Sequence, residues 1–341
     1  MTIDVQVMEA FDARADRRNE RREFFKTALN VGGFVVAGAA ASGIVASSAE
    51  AQTAITPNDV LNFALNLEYL EAQFYSYAAF GVGLDESLLT GTRGTRGQVQ
   101  IGTGAGMARR VPFADPVVAA YAREIAADEI AHVRFLRQVL STDAVAQPTI
   151  NISAAPGGAF AAAAAAAGVP NFDPYGSDLG FLYGAFLFED AGVTAYKGAA
   201  NALINNKVFL ENAAGILAVE AYHAAIVRTA LYVRGSSVAG DPGFGTTNSI
   251  YANVQRLSDV RDAVDGASDL DQGIAPMTRT GPTGPVLASN IFPADDANGA
   301  VAFSRTTGQV LNIVYLTRSA ATMGGFFPNG VNGVINASAA N

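Results

Sequence analysis

Cysteine and tryptophan are absent from these 341 residues, and histidine occurs only twice. Without cysteine there can be no disulfide, no thiolate metal site and no cysteine nucleophile. Any transition metal must therefore be held by His, Asp, Glu and water, a donor set that suits iron, manganese or zinc. Positive charge is also scarce: 22 Lys and Arg stand against 31 Asp and Glu, for a net charge of −9 and a pI near 4.8. A chain this acidic presents no basic face to phosphates, which excludes nucleic acid as a partner. Apolar residues, by contrast, make up 50% of the chain, enough for a sizeable core and too many for global disorder.

The N-terminal stretch reads as an address. Arg21-Arg22-Glu23-Phe24-Phe25-Lys26 sets paired arginines before two aromatics and a lysine. A mildly apolar Gly/Ala-rich run follows from Ala28 to about Ala46, and Ala49-Glu50-Ala51 has the small-x-small form of a cleavage site. Residues 1–51 thus resemble a twin-arginine export signal cleaved after Ala51, which implies a periplasmic or extracellular protein. One departure is the long leader, residues 1–20, ahead of the arginines. Left uncleaved, the same run would be a weak membrane anchor, diluted by glycines and by Ser42, Ser47 and Ser48. Membrane contact is expected only by that route.

From residue 52 to 234 the pattern is helical. Thr56-Pro57-Asn58-Asp59 combines a hydroxyl cap, a proline in the first turn and an acid at the positive end of the helix dipole. Leu61, Ala64, Leu65, Leu67 and Phe74 recur at helical spacing until Gly81 and Gly83 stop the helix near Phe80. Asp115-Pro116 opens a second helix that runs to about Leu140. Ser177-Asp178 opens a third, to about Ile204, and a fourth runs from Val208 to about Arg234. Residues 81–113 read as a long loop. A linker broken by Pro148, Pro156, Pro170 and Pro174 joins the second helix to the third, with a short alanine helix at 159–167 inside it. Two long helices, a long connection and two more long helices predict an all-α four-helix bundle with one crossover. Residues 235–341 read as a loop-rich appendage packed on that bundle. A polar helix is expected at 249–264, looped or extended chain at 266–300, and a short apolar helix at 305–316.

The chemistry concentrates on the histidines. Each has a glutamate three residues before it, in Glu129-Ile130-Ala131-His132 and Glu220-Ala221-Tyr222-His223. That interval is just under one helical turn, so both side chains of a pair leave the same helix face and can serve one cation or bridge two. The first helix adds Glu68 and Glu71 within an otherwise apolar segment, and the third adds Glu189 after Phe186-Leu187-Phe188. An ionised carboxylate among such neighbours is costly unless a cation compensates it. One Glu from each of two helices, with Glu-x-x-His from the other two, is the ligand set of di-iron and di-manganese carboxylate bundles. Other features carry less. The Phe and Tyr residues at helical spacing read as core, and Arg93, Arg96, Arg109 and Arg110 as solvated loop residues. Gly102–Gly106 lacks the preceding strand and the lysine of a phosphate loop.

Asn66–Tyr75, Phe188–Tyr196 and Glu220–His223, with the tail segments Phe303–Asn312 and Gly324–Gly330, resemble the ferritin-like domain of desiccation-related proteins. The resemblance covers nearly all of residues 55–335 and implies a ferritin-like bundle with a metal site. It implies Glu68 as the first-helix ligand, with Glu71 as an extra or bridging ligand or a pocket wall. Glu129 and Glu220 would bridge or chelate, and His132 and His223 would be terminal ligands. The expected cofactor is a pair of metal ions, iron first and manganese second. Three functions stay open: a redox enzyme acting on oxygen or peroxide, metal binding without turnover, and a stress-protection protein in which metal only stabilises the fold. A ferritin-type cage is disfavoured by the tail and the long loops, whereas a smaller homo-oligomer remains compatible.

Overall fold

The computed structural model describes residues 55–169, 172–236, 250–294 and 299–341. The leader lies outside them, as do Pro170 and most of the loop that follows Gly235. The described residues belong to one compact unit.

Helix α1 (Pro57–Phe80) begins at the expected cap: Thr56 Oγ1 accepts from the Asp59 amide at 3.3 Å while Asp59 Oδ2 accepts from the Thr56 amide at 3.0 Å. It ends at Gly81, whose φ of 80° closes the last turn without a Cβ penalty. Helix α2 (Pro116–Leu140) is capped by Asp115, which accepts from the Val117 amide at 2.8 Å. The alanine helix α3 (Ala159–Ala167) lies in the crossover, and Ser177 caps α4 (Asp178–Leu203) through the Gly180 amide at 3.1 Å. Helix α5 (Lys207–Ser236) completes the bundle. α1 lies along α2, α4 lies along α5, and the two hairpins meet chiefly through α1 and α4. Helices α6 (Ile250–Asp265) and α7 (Thr307–Tyr315) follow, the latter with a Thr306/Gln309 capping box.

The two connections expected as separate loops are joined. Strand β1 (Val99–Gln100) pairs in parallel with β2 (Ile150–Asn151), and Arg93 forms a further bridge to Val145. Neither strand is long enough to show periodicity, so only their distant partners define them. The loop arginines are mostly engaged: Arg93 lies 3.6 Å from Asp59 and 3.4 Å from Asp143, Arg96 meets Glu86, and Arg109 reaches Asp173 at 2.6 Å. They tie loops down and assemble no anion site. Within 266–300 the chain forms a hairpin, β3 (Met277–Gly281) and β4 (Gly284–Ala288), turning at Pro282-Thr283 with Gly281 opposite Gly284.

Two buried systems set the position of α4. The first is aromatic: Phe74 of α1 meets Phe160 of α3 at 5.1 Å and Phe188 of α4 at 5.5 Å, and Phe326 from the tail lies 5.0 Å from Phe188. The second is ionic. Arg228, Arg261 and Arg305 are all fully buried. Arg228 donates to Asp190 at 2.8 Å and to the carbonyls of Ile291, Gln272, Gly273 and Asn290 at 2.5, 2.9, 2.7 and 2.9 Å. Arg261 donates to the same Asp190 oxygen at 2.9 Å and to Asp271 at 2.8 Å. Arg305 reaches Asp265 at 2.6 Å, Thr194 at 2.9 Å, and Asp271. Phe186 lies beneath two of these guanidinium groups, 4.5 Å from Arg261 and 5.4 Å from Arg228. The segment after α5 is thus bonded to the bundle through the interior and not merely laid over it.

Candidate metal centre

The four bundle helices each send ligand-type side chains to one interior place: Glu68 from α1, Glu129 and His132 from α2, Glu189 from α4, Glu220 and His223 from α5. All six are buried, three of the glutamates completely. They fall into two groups, each with its potential ligand atoms within 4.8 Å of one another: Glu68, Glu129, His132 and Glu220 in the first, Glu129, Glu189 and His223 in the second. Glu129 belongs to both. His132 Nδ1 stands 3.2 Å from Glu68, 3.4 Å from Glu129 and 3.5 Å from Glu220. His223 Nδ1 stands 3.1 Å from the other oxygen of Glu129 and 3.6 Å from Glu189. The ring centroids of the two histidines are 6.4 Å apart. The Glu-x-x-His pair of α5 is divided between the groups, Glu220 facing His132 and His223 facing Glu189.

Whether these residues suit metal ions can be tested on their hydrogen bonds. Neither oxygen of Glu129 or Glu220 has a hydrogen-bond partner, nor does Glu189 Oε2 or His223 Nδ1. Buried polar atoms are ordinarily satisfied, and these orphaned atoms belong to the residues of the two groups that share Glu129. Four carboxylates with imidazole nitrogens and no sulfur match hard divalent or trivalent cations. The donor set fits.

Several surrounding groups went unassigned from sequence. Tyr75, expected as core, donates from α1 to Glu189 of α4, and Tyr196 donates from α4 to Glu68 of α1. Each tyrosine follows a ligand-type glutamate by seven residues, two helical turns, and braces the glutamate of the opposite helix. That repeated Glu-x6-Tyr interval was the available signal. Asp128, half-exposed, holds His223 Nε2 at 3.1 Å and orients the imidazole. Asp190 turns away into the arginine system, and Tyr222 faces solvent. Glu71 is buried beside the site but belongs to neither group. Gly192 makes room: a Cβ there would lie 2.5 Å from Glu220 Oε2 and 3.5 Å from Glu71 Oε1.

Electrostatics follow from this crowding. Burial and the neighbouring carboxylates push Glu71 and Glu220 well above the usual carboxylate range. Burial lifts Glu68 to about 7, against the lowering influence of His132. Burial also disfavours charge on the histidines, but Glu189 and Glu129 reverse this and push His223 up to about 12. Glu68, Glu129 and Glu220 move His132 strongly the same way. Glu129 lies low because both histidines outweigh its burial. Without metal, protons on the imidazoles supply the positive charge that the carboxylates require.

Two antiparallel helix hairpins, one carboxylate shared between two ligand groups and a histidine in each group define a class: helical bundles whose interior is built for cations. The ferritin-like domain family matches residues 56–233, and this chain belongs to it. The ferritin-like catalase Nec2 of Nesocodon mauritianus is 28% identical over 281 residues, 81% of this chain and 84% of that protein. The desiccation-related protein PCC13-62 of Craterostigma plantagineum is 30% identical over 278 residues, 80% of this chain and 82% of that protein. No solved structure gives a significant match.

Proposed function

We propose that the chain is an exported protein that binds two metal ions, iron or manganese, and decomposes peroxide in protection against stress. The observation that carries this reading is Glu129, whose two unpartnered oxygens face a different histidine each. Glu68, His132 and Glu220 would complete one side, and Glu189 with His223 the other. Bound there, the metal pair would supply the two-electron redox capacity that peroxide breakdown needs. Tyr75 and Tyr196 hold the terminal carboxylates in place, and Asp128 fixes the His223 ring. The apolar helix faces exclude bulk water from the carboxylates, which strengthens every charge interaction inside. The catalase name of one relative supports peroxide as the oxidant, and the desiccation name of the other supports stress protection. The paired arginines and the Ala49-Glu50-Ala51 pattern support export.

Elemental analysis of protein purified after export is expected to give about two metal ions per chain. The loaded protein is expected to evolve oxygen from hydrogen peroxide. Glu129→Gln is expected to retain less than half the metal and lose at least about a hundredfold in turnover. Full metal loading with no peroxide consumption, under iron and manganese alike, would overturn the catalytic reading in favour of binding without turnover.

A further inference from the structure

The outer side of α5 carries a pattern that neither the fold nor the metal centre uses. From Val208 onward, positions alternately three and four residues apart stay at or near the surface as far as Tyr232. That is the heptad spacing of a helix seam that meets another helix. Among the described residues nothing buries it: Val208 and Tyr222 are 64% and 69% exposed. Gly215, Ala218 and Thr229 are exposed as well, and Ala225 and Tyr232 are half-buried. Glu211 is the one charged residue of the seam. Glu220, His223 and Arg228, from the same stretch of helix, are buried inside the bundle.

The order of residues along the seam selects its occupant. Laid antiparallel on a copy of itself, with a two-fold axis beside Glu220, the seam sets Tyr222 opposite Ala218 of the second copy and Gly215 opposite Ala225. Val208 then meets Tyr232, and Thr229 meets Glu211. Symmetry makes every such contact twice. Bulk falls on small residues, and the lone carboxylate falls on a hydroxyl that can donate to it. A parallel pairing sets Tyr222 on Tyr222 and Glu211 on Glu211, and also aligns the two helix dipoles.

The extent suits an interface. At 1.5 Å per residue the seam is about 37 Å long, and a helix is about 10 Å across. A band two helices wide, taking in α5 and the rim of α2 at the exposed Val117, buries on the order of 750 Å² per copy, close to the roughly 800 Å² of a stable complex. Lipid is a poorer occupant, because Glu211 would enter it without a partner. We propose that the chain forms a two-fold homodimer through the outer seam of α5, in antiparallel register about Glu220.

Sedimentation equilibrium of the full purified chain is expected to give twice the chain mass of 35.2 kDa. Ala218→Glu, which sets a carboxylate against Tyr222 of the second copy, is expected to weaken association at least about tenfold. Thr229→Lys, opposite Glu211, is expected to strengthen it about threefold, and Thr229→Glu to weaken it by as much. Opposite signs at one exposed position separate an interface from a folding defect. The lack of native cysteine allows a direct check of register. Ala221→Cys lies beside the axis, and two copies are expected to link through it on mild oxidation. Val208→Cys is expected not to link, because its two copies stand about 36 Å apart. A monomer mass at every concentration overturns the proposal, as does association unchanged by Ala218→Glu. Linkage through Val208→Cys in place of Ala221→Cys overturns the register, and a monomer that floats with phosphatidylcholine vesicles assigns the face to lipid instead.

Discussion

Asp190 and Glu189 are consecutive on α4, yet their carboxylates enter two opposite kinds of interior. Asp190 meets Arg228 and Arg261 in a system where three arginines face three aspartates and backbone carbonyls take the remaining donors. Glu189 joins carboxylates that outnumber the imidazoles and leave several oxygens without a donor. Both systems are buried in one domain, on adjacent faces of α4. The first carries its own counter-charges in the sequence, three arginines for three aspartates, although Asp190 Oδ1 and Asp265 Oδ1 accept no hydrogen bond. The second has only two imidazoles for its four ligand-type glutamates, and even with both rings protonated the carboxylates stay in excess. Burial of charge is thus no signature of function in itself; the imbalance is.

The comparison breaks most sharply if one partner is removed from the balanced side. Arg228→Leu leaves Asp190 and several carbonyls short of a donor, and is expected to destabilise the fold by about 3–5 kcal/mol. Denaturant titration of metal-free protein measures this, and metal should not restore the loss. The second difference is in pH response. His132, His223 and Glu68 hold protons that metal must displace. Their metal-free pKa values are raised, so affinity rises with pH: between about pH 6 and pH 8 each proton displaced is expected to add up to about 1.4 kcal/mol per unit. Competition with a chelator at several pH values, with pH-stat counting of released protons, checks both sign and number. The smallest effect carries the opposite sign to the first. Glu220→Gln removes one of several crowded carboxylates, and is expected to stabilise metal-free protein by about 1 kcal/mol while lowering metal content. Loss of stability on that substitution would show that the carboxylates are satisfied by protein alone.

The helices and the histidine-bearing motifs were legible because their causes are local. A cap, a proline and a stop glycine fix α1, and an interval of three residues places Glu220 and His223 on one face. Glu71 and Glu68 share a face by the same arithmetic, so spacing could not choose between them; packing leaves Glu68 beside His132 and Glu71 outside both groups. The arginine system was illegible. Arg305 meets Thr194 across 111 residues and Arg228 meets Ile291 across 63, separations that no periodicity records. The β1–β2 pairing failed for the same reason, since two residues per strand carry no pattern. Tyr75 and Tyr196 fell between these cases. Their spacing from Glu68 and Glu189 was visible, but an aromatic on a buried helix face ordinarily needs no further explanation.

Gly192 has a consequence for anyone engineering this protein. Replacing helical glycines by alanine is a standard route to greater robustness, with typical gains of about 0.4–1 kcal/mol. At this position the added methyl would collide with Glu220 at 2.5 Å. The substitution would make the Glu220 carboxylate shift from its place among the ligand-type residues. A campaign scored on melting temperature alone, in protein without its ions, could therefore reward a change that quietly closes the cation chamber.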